Sequence, residues 1–96
     1  MEIREIPLNQ LVIDKFNVRG GEWISDDGLI DSIKKQGVLE PLLVRPLKNK
    51  FSIVCGSRRF FASKEARLKV VPCIIRKDLT DVNALGMSLQ ENLQSN

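Results

Sequence analysis

Residues 51–63 read FSIVCGSRRFFAS. The apolar run at 51–54 has the length and content of a short strand, and the residues after Gly56 have those of a helix. The glycine therefore marks a strand-to-helix junction. Arg58 and Arg59 then stand in the first helical turn. That end is unfavourable for cations, because the backbone dipole and the free N–H groups there already attract negative charge. An anion would make sense of the pair. A glycine ahead of a helix lets backbone N–H groups approach a phosphate, and arginines add charge-assisted bonds to it. Arginines on a solvated helix face are the plainer account of the same residues, since short motifs recur by chance.

Outward from this junction, short strands and helices alternate. PLLVR (41–45) and KFSIV (50–54) read as the strands of a hairpin. Downstream, a helix over SRRFFASKEARL (57–68) leads to a strand at PCIIR (72–76). Thr80 caps a third helix, on which Val82, Leu85, Leu89 and Leu93 form an apolar stripe. Towards the N-terminus, EIREI (2–6) alternates like a strand and ends at Pro7. Residues 7–23 read mostly as loop, with Asn17, Arg19 and a flexible Gly20–Gly21 pair. Ser25 is placed to cap a helix over residues 26–36, which Gly37 stops in a left-handed conformation. The expectation is one small α/β domain over residues 1–96, with a mixed sheet and about three helices.

Composition sets outer limits. A chain of 96 residues holds a single core, and with 5% aromatic residues that core must be mainly aliphatic. No apolar run approaches the ~20 residues that cross a bilayer, and the first residues lack the basic and apolar regions of a secretory signal. A cytoplasmic location is expected. Cys55 and Cys73, with no histidine in the chain, read as buried thiols on two strands rather than a metal set. The net charge of +3 hides a split: residues 45–77 carry +9 and the rest of the chain −6. Such a polarised domain can meet a polyanion on one side and a basic partner, or its own copy, on the other. Arg45, Lys48, Lys50, Lys64, Arg67 and Lys69 are the candidates for weak, sequence-independent contact with DNA.

Two further segments bear on chemistry. GVLEPLLVR (37–45) is a helix stop, an acid, a proline and a strand. LQENLQ (89–94) offers Glu91 and Asn92, oxygen ligands of the kind magnesium accepts beside phosphates. Taken in order, NVR, SIKKQGVLEPLLVRP, FSIVCGSRRFFAS, VPCIIRKDLTD and ENLQ closely resemble the N-terminal domain of ParB-type chromosome and plasmid partition proteins, over nearly the whole chain. The resemblance implies a sulfiredoxin-like fold that binds CTP with magnesium. It implies that Gly56, Ser57, Arg58 and Arg59 hold phosphates, that Ser32, Gly37, Glu40 and Pro41 border the nucleotide, and that Glu91 and Asn92 approach the metal. Three positions depart from the family pattern. Glu40 replaces glutamine, Ser57 replaces the glutamate of GERR, and Ser95 stands where a basic residue follows ENLQ.

The resemblance implies a partition module that self-associates, spreads as an oligomer or filament, and is nucleoid- or plasmid-associated. Its partners would be a ParA-type ATPase and a site-specific DNA-binding protein or further domain, because the family's helix-turn-helix region lies outside these residues. CTP hydrolysis is an activity that the resemblance admits beside binding and assembly. The alternatives are a nucleotide-dependent enzyme of the sulfiredoxin and kinase-like superfamily, or a nuclease. The first would want a reactive cysteine where Ser57 stands, and the second a tight cluster of carboxylates.

Overall fold

The computed structural model describes residues 2–94. Strands β1 (Glu2–Pro7), β2 (Leu11–Ile13), β3 (Leu42–Leu47), β4 (Lys50–Cys55) and β5 (Val70–Ile75) form one sheet, and α1 (Asp27–Gln36), α2 (Ser57–Glu65) and α3 (Asp81–Gln94) surround it. The strand order is β1-β5-β3-β4-β2. The sheet is mixed as expected: β1–β5 and β3–β4 are antiparallel, while β3–β5 and β2–β4 are parallel. No described helix is long and apolar enough to cross a membrane.

Register sorts the residues onto two faces. Val44 lies opposite Ile53 and beside Ile75, and Leu42 lies beside Cys73. With Ile6, Leu11, Val71 and Phe60 of α2, these build the aliphatic core. On the other face Arg45 lies opposite Ser52, and Leu43 opposite Cys55. The register shifts between Leu43 and Val44, so Val54 is the extra residue on β4. A bulge of this kind turns a strand end, here one residue before Cys55 and the α2 junction.

Several expected boundaries move: α2 stops at Glu65, with Arg67 at φ +63°, short of the expected Leu68, and β5 starts at Val70 rather than Pro72. The segment expected as loop contains β2, a short strand recruited by parallel pairing with β4 at Leu11–Phe51, Val12–Ser52 and Ile13–Ile53. The cap of α1 is Asp26, whose Oδ1 accepts the Leu29 N–H at 3.0 Å. The Ser25 hydroxyl donates instead to Glu65 at 2.9 Å. Gly37 does end α1 with positive φ, +74°, although its ψ of −170° lies outside the left-handed helical basin. Thr80 caps α3 as expected, accepting the Asn83 N–H.

The apolar stripe of α3 does not enter the core. Val82, Leu85, Leu89 and Leu93 are exposed, and the helix buries Ala84 and Ser88 against the sheet. Small buried residues bring its backbone close, and polar contacts hold it: the Ser88 hydroxyl accepts the Val18 N–H at 2.9 Å.

Arg45, expected to face a polyanion, is largely buried on the α3 side of the sheet. Its Nε donates to Asp14 Oδ2 at 2.7 Å, its Nη2 lies 2.9 Å from Asp81 Oδ1, and its Nη1 donates to the Leu79 carbonyl. Ser52 Oγ also donates to Asp14, at 2.6 Å. Burial alone would raise the Asp14 carboxyl, but the bonds from Arg45, Ser52 and the Phe16 N–H outweigh it and hold the group below the usual carboxylate value.

Arg45→Met should therefore strand a carboxylate that is 2% exposed. We expect a loss of roughly 3 kcal/mol of unfolding free energy, the low end for breaking a buried pair, measured by urea denaturation. The lowered Asp14 value also fixes the sign with pH. Its contribution is complete above the unfolded value of about 3.9 and drains away as pH falls through the lower folded value. Asp14→Asn should abolish that portion of the acid sensitivity.

Candidate functional site

The β4–α2 junction opens onto a hollow of about 620 Å³ on the α3 side of the sheet, a size that suits a ligand of nucleotide dimensions. Its wall includes Glu40, Pro41, Gly56, Ser57, Arg58, Arg59 and Glu91, all expected from sequence, and also Arg19, Leu29, Leu43, Cys55, Met87, Gln90 and Gln94. Ser32 is exposed on α1, and neither it, Gly37 nor Asn92 is part of this lining. Ser95 lies outside the described residues.

Gly56 sits at φ +104°, where side chains are strained, and a Cβ there would stand 2.9 Å from Leu42 Cγ and 3.3 Å from Arg59 Nη2. The residue is thus glycine first because β3 presses against it, whatever ligand approaches. Its N–H points to Glu91 Oε1 at 3.1 Å. Ser57, the next residue, is buried, and its hydroxyl has no hydrogen-bond partner among the described residues.

The arginine pair is held by the chain itself. Arg58 Nη2 donates to Asp26 Oδ2 at 2.8 Å. Arg59 Nη1 donates to the carbonyls of Glu40 and of Pro41, and its Nη2 lies 3.4 Å from Glu91 Oε2. Arg59 thus anchors the Glu40–Pro41 turn and reaches towards the hollow with its other nitrogen. Arg58, 41% exposed along its side chain, is the freer to turn.

Arg19, missed as a site residue, is delivered by the loop before α1. Asn17 is buried, and its Nδ2 donates to the carbonyls of Ile53 and Val54 at 3.1 and 3.2 Å, while its Oδ1 accepts the Arg19 N–H. Asn17 thereby stitches the loop to the β4 bulge and fixes where Arg19 emerges. The NVR triplet was the signal.

Cys55 stands in the wall but is a poor nucleophile. Burial, with the nearby Glu91 charge adding and Arg59 opposing, pushes its thiol up to about 12. It is protonated at neutral pH, and thiolate chemistry needs the opposite shift. Among the described residues no three acidic, cysteine or histidine side chains gather to hold a metal. The donor set still suits magnesium in one form. Glu91 supplies one hard carboxylate, and magnesium commonly binds through one or two carboxylates together with substrate phosphates.

Of the polyanion candidates other than Arg45, Lys48 and Lys50 flank the β3–β4 turn, and Lys64, Arg67 and Lys69 surround the end of α2. All five are exposed. Lys64 lies over the Phe60 ring at 4.9 Å.

Comparison with known proteins places these features. The family model for the ParB N-terminal domain matches residues 1–93. The chromosome-partitioning protein Spo0J of Thermus thermophilus is 50% identical over 66 residues, which are 69% of this chain and 24% of the relative. The chain spans about a quarter of the length of this relative and of the ParB proteins of Myxococcus xanthus and Coxiella burnetii, which it also matches. Among solved structures, C-terminally truncated ParB from Caulobacter crescentus, complexed with CTP-gamma-S, aligns with a TM-score of 0.84 and 33% identity, over 100% of this chain and 55% of that one. Sulfiredoxin from Arabidopsis thaliana aligns with a TM-score of 0.64 at 24% identity, over 97% of this chain and 98% of that one, and shares the fold.

Gly56→Ala tests the packing account of the junction. The left-handed conformation and the Leu42 contact together should cost roughly 2–4 kcal/mol, read as a lower thermal midpoint. A variant that melts with the wild type would make the glycine a free turn residue.

Proposed function

The chain belongs to the ParB N-terminal domain family, and from that premise we propose that it is a DNA-partition module that binds CTP with magnesium and works by self-association. The observation that carries the nucleotide reading is the junction itself. Gly56, Ser57, Arg58 and Arg59 line one side of a hollow of nucleotide size, at the first turn of α2. Backbone N–H groups at the start of α2 meet phosphate oxygens, and Arg58 adds charge from the rim. Glu91 would hold magnesium, which neutralises phosphate charge when bound. The similar ParB from Caulobacter crescentus is complexed with CTP-gamma-S, which supports CTP as the nucleotide.

The self-association reading is supported by the exposed stripe of Val82, Leu85 and Leu89 on α3, an apolar face of the kind that marks an interface. The five exposed basic residues at the β3–β4 turn and the end of α2 support weak contact with DNA phosphates, strongly dependent on salt and indifferent to sequence. In the whole protein the module would connect DNA-bound proteins with a ParA-type ATPase and be nucleoid- or plasmid-associated. A thiol-based enzyme finds no support in Cys55, whose thiol is held protonated.

Calorimetric titration with each nucleoside triphosphate and magnesium tests the ligand. CTP should bind in preference to ATP, GTP and UTP, and Arg58→Ala should weaken it roughly tenfold or more, the cost of one charge-assisted bond. Arg58→Ala is the clean variant, since Arg59 also anchors a turn. Equal affinity for all four nucleotides, or an unchanged Arg58→Ala, defeats the reading. Sedimentation tests assembly. Leu85→Lys with Leu89→Lys should reduce any concentration-dependent oligomer while leaving the melting midpoint close to wild type, because neither side chain is in the core. Oligomers unaffected by the pair of lysines would move the interface elsewhere.

A further inference from the structure

The hollow carries an anion of its own. Glu91 Oε1 accepts the Gly56 N–H at 3.1 Å, and Glu91 Oε2 faces Arg59 Nη2 at 3.4 Å. These are the same two kinds of donor that a strand-to-helix junction offers a phosphate group. A carboxylate has two acceptor oxygens and one negative charge, so it reproduces one edge of a phosphate. It arrives from a different element, α3, and is 27% exposed along its side chain, open enough to be displaced. Beside it Arg58, 41% exposed along its side chain, stands at the rim of the same hollow. The carboxylate thus occupies the Gly56 N–H and one edge of Arg59 and leaves the rim charge for a larger anion.

We propose that Glu91 is a built-in phosphate surrogate: in the ligand-free chain its carboxylate sits in the anion cradle, and a polyphosphate binds by expelling it. The inference rests on the polyphosphate reading of this hollow. It gives Glu91 two opposite effects. Without a divalent cation, the carboxylate competes for Gly56 N–H and Arg59 and repels the incoming charge. With magnesium, the expelled carboxylate has a cation to bind, because magnesium takes carboxylate and phosphate oxygens together. The metal requirement of the site is then set by this side chain, beyond the general screening of phosphate charge. The surrogate also neutralises Arg59, which would otherwise face the unfavourable end of the α2 dipole with only the Glu40 and Pro41 carbonyls against it.

The test uses the full chain and inorganic tripolyphosphate, titrated calorimetrically in EDTA and in magnesium, so that base recognition plays no part. Glu91→Gln keeps the shape and removes the charge. It should bind tripolyphosphate about tenfold more tightly than wild type in EDTA, and its gain on adding magnesium should shrink. Glu22→Gln makes the same change of charge on the loop before α1 and should leave both affinities within a factor of about two. Glu91→Ala serves as a second variant, with the same expected direction. The proposal is overturned if Glu91→Gln binds metal-free tripolyphosphate no better than wild type. It is also overturned if Glu22→Gln gains as much, or if no variant binds the anion at all. CTP run in parallel separates the two readings. Binding of CTP no tighter than tripolyphosphate would end the nucleotide reading and leave the surrogate standing.

Discussion

The Arg45 guanidinium is the contact on which the α3 side of the molecule depends. It lies on the sheet face opposite the aliphatic core and joins Asp14 at the end of β2, Ser52 of β4 through that same carboxylate, the Leu79 carbonyl and Asp81 at the start of α3. Helix α3 buries little besides Ala84 and Ser88, so apolar packing alone would hold it weakly. Asp81 at one end, the Val18–Ser88 bond at the middle and the Glu91 contacts towards the other end define its line over the sheet. That line is what puts Glu91 opposite the first turn of α2. The energetics of such a seam differ from those of the core. Arg45 and Asp14 were taken out of water at a cost, and the stability lies in not leaving either alone.

The paired arginines at a helix start are explained by what surrounds them. Two cations at the positive end of a helix are unfavourable by themselves. Here Asp26 faces Arg58, while Glu91 and two backbone carbonyls face Arg59. Asp26 is at once the cap of α1 and the partner of Arg58. The first turn of α2 is thus balanced by carboxylates from α3 and from the cap of α1. The same arrangement ties the start of α2 to α1 and α3, so any anion that draws on the arginines must compete with those ties.

The core and the junction were legible in the sequence because their signals are local. The run FSIV, the glycine and the helix that follows fix one another within a dozen residues, and β3, β5 and the Thr80 cap carry their own turn and capping chemistry. What the sequence concealed depends on partners distant along the chain. Strand β2 is three residues long and exists through its parallel pairing with β4. The stripe on α3 has the spacing of a buried face, yet nothing in its periodicity says that Ala84 and Ser88 lie against the sheet instead. Arg45 sits in a basic segment and looks like a surface charge until Asp14, thirty-one positions earlier, folds against it. Asn17 gave no sign of reaching Ile53 and Val54, and only the NVR triplet pointed to Arg19.

The departures from the family pattern matter unequally, because backbone and side-chain roles tolerate substitution differently. At position 40 the carbonyl, together with that of Pro41, receives Arg59. A carbonyl is present whichever residue stands there, so glutamate in place of glutamine leaves this anchor intact and changes only the charge at the rim of the hollow. Position 57 is the reverse case. A buried serine stands at the very start of α2 where the family pattern has a glutamate, so the first turn carries one negative charge fewer. That change favours an anion at the junction. The loss of the family glutamate there thus strengthens the electrostatic case for the site, and the carboxylate that remains to be moved is Glu91.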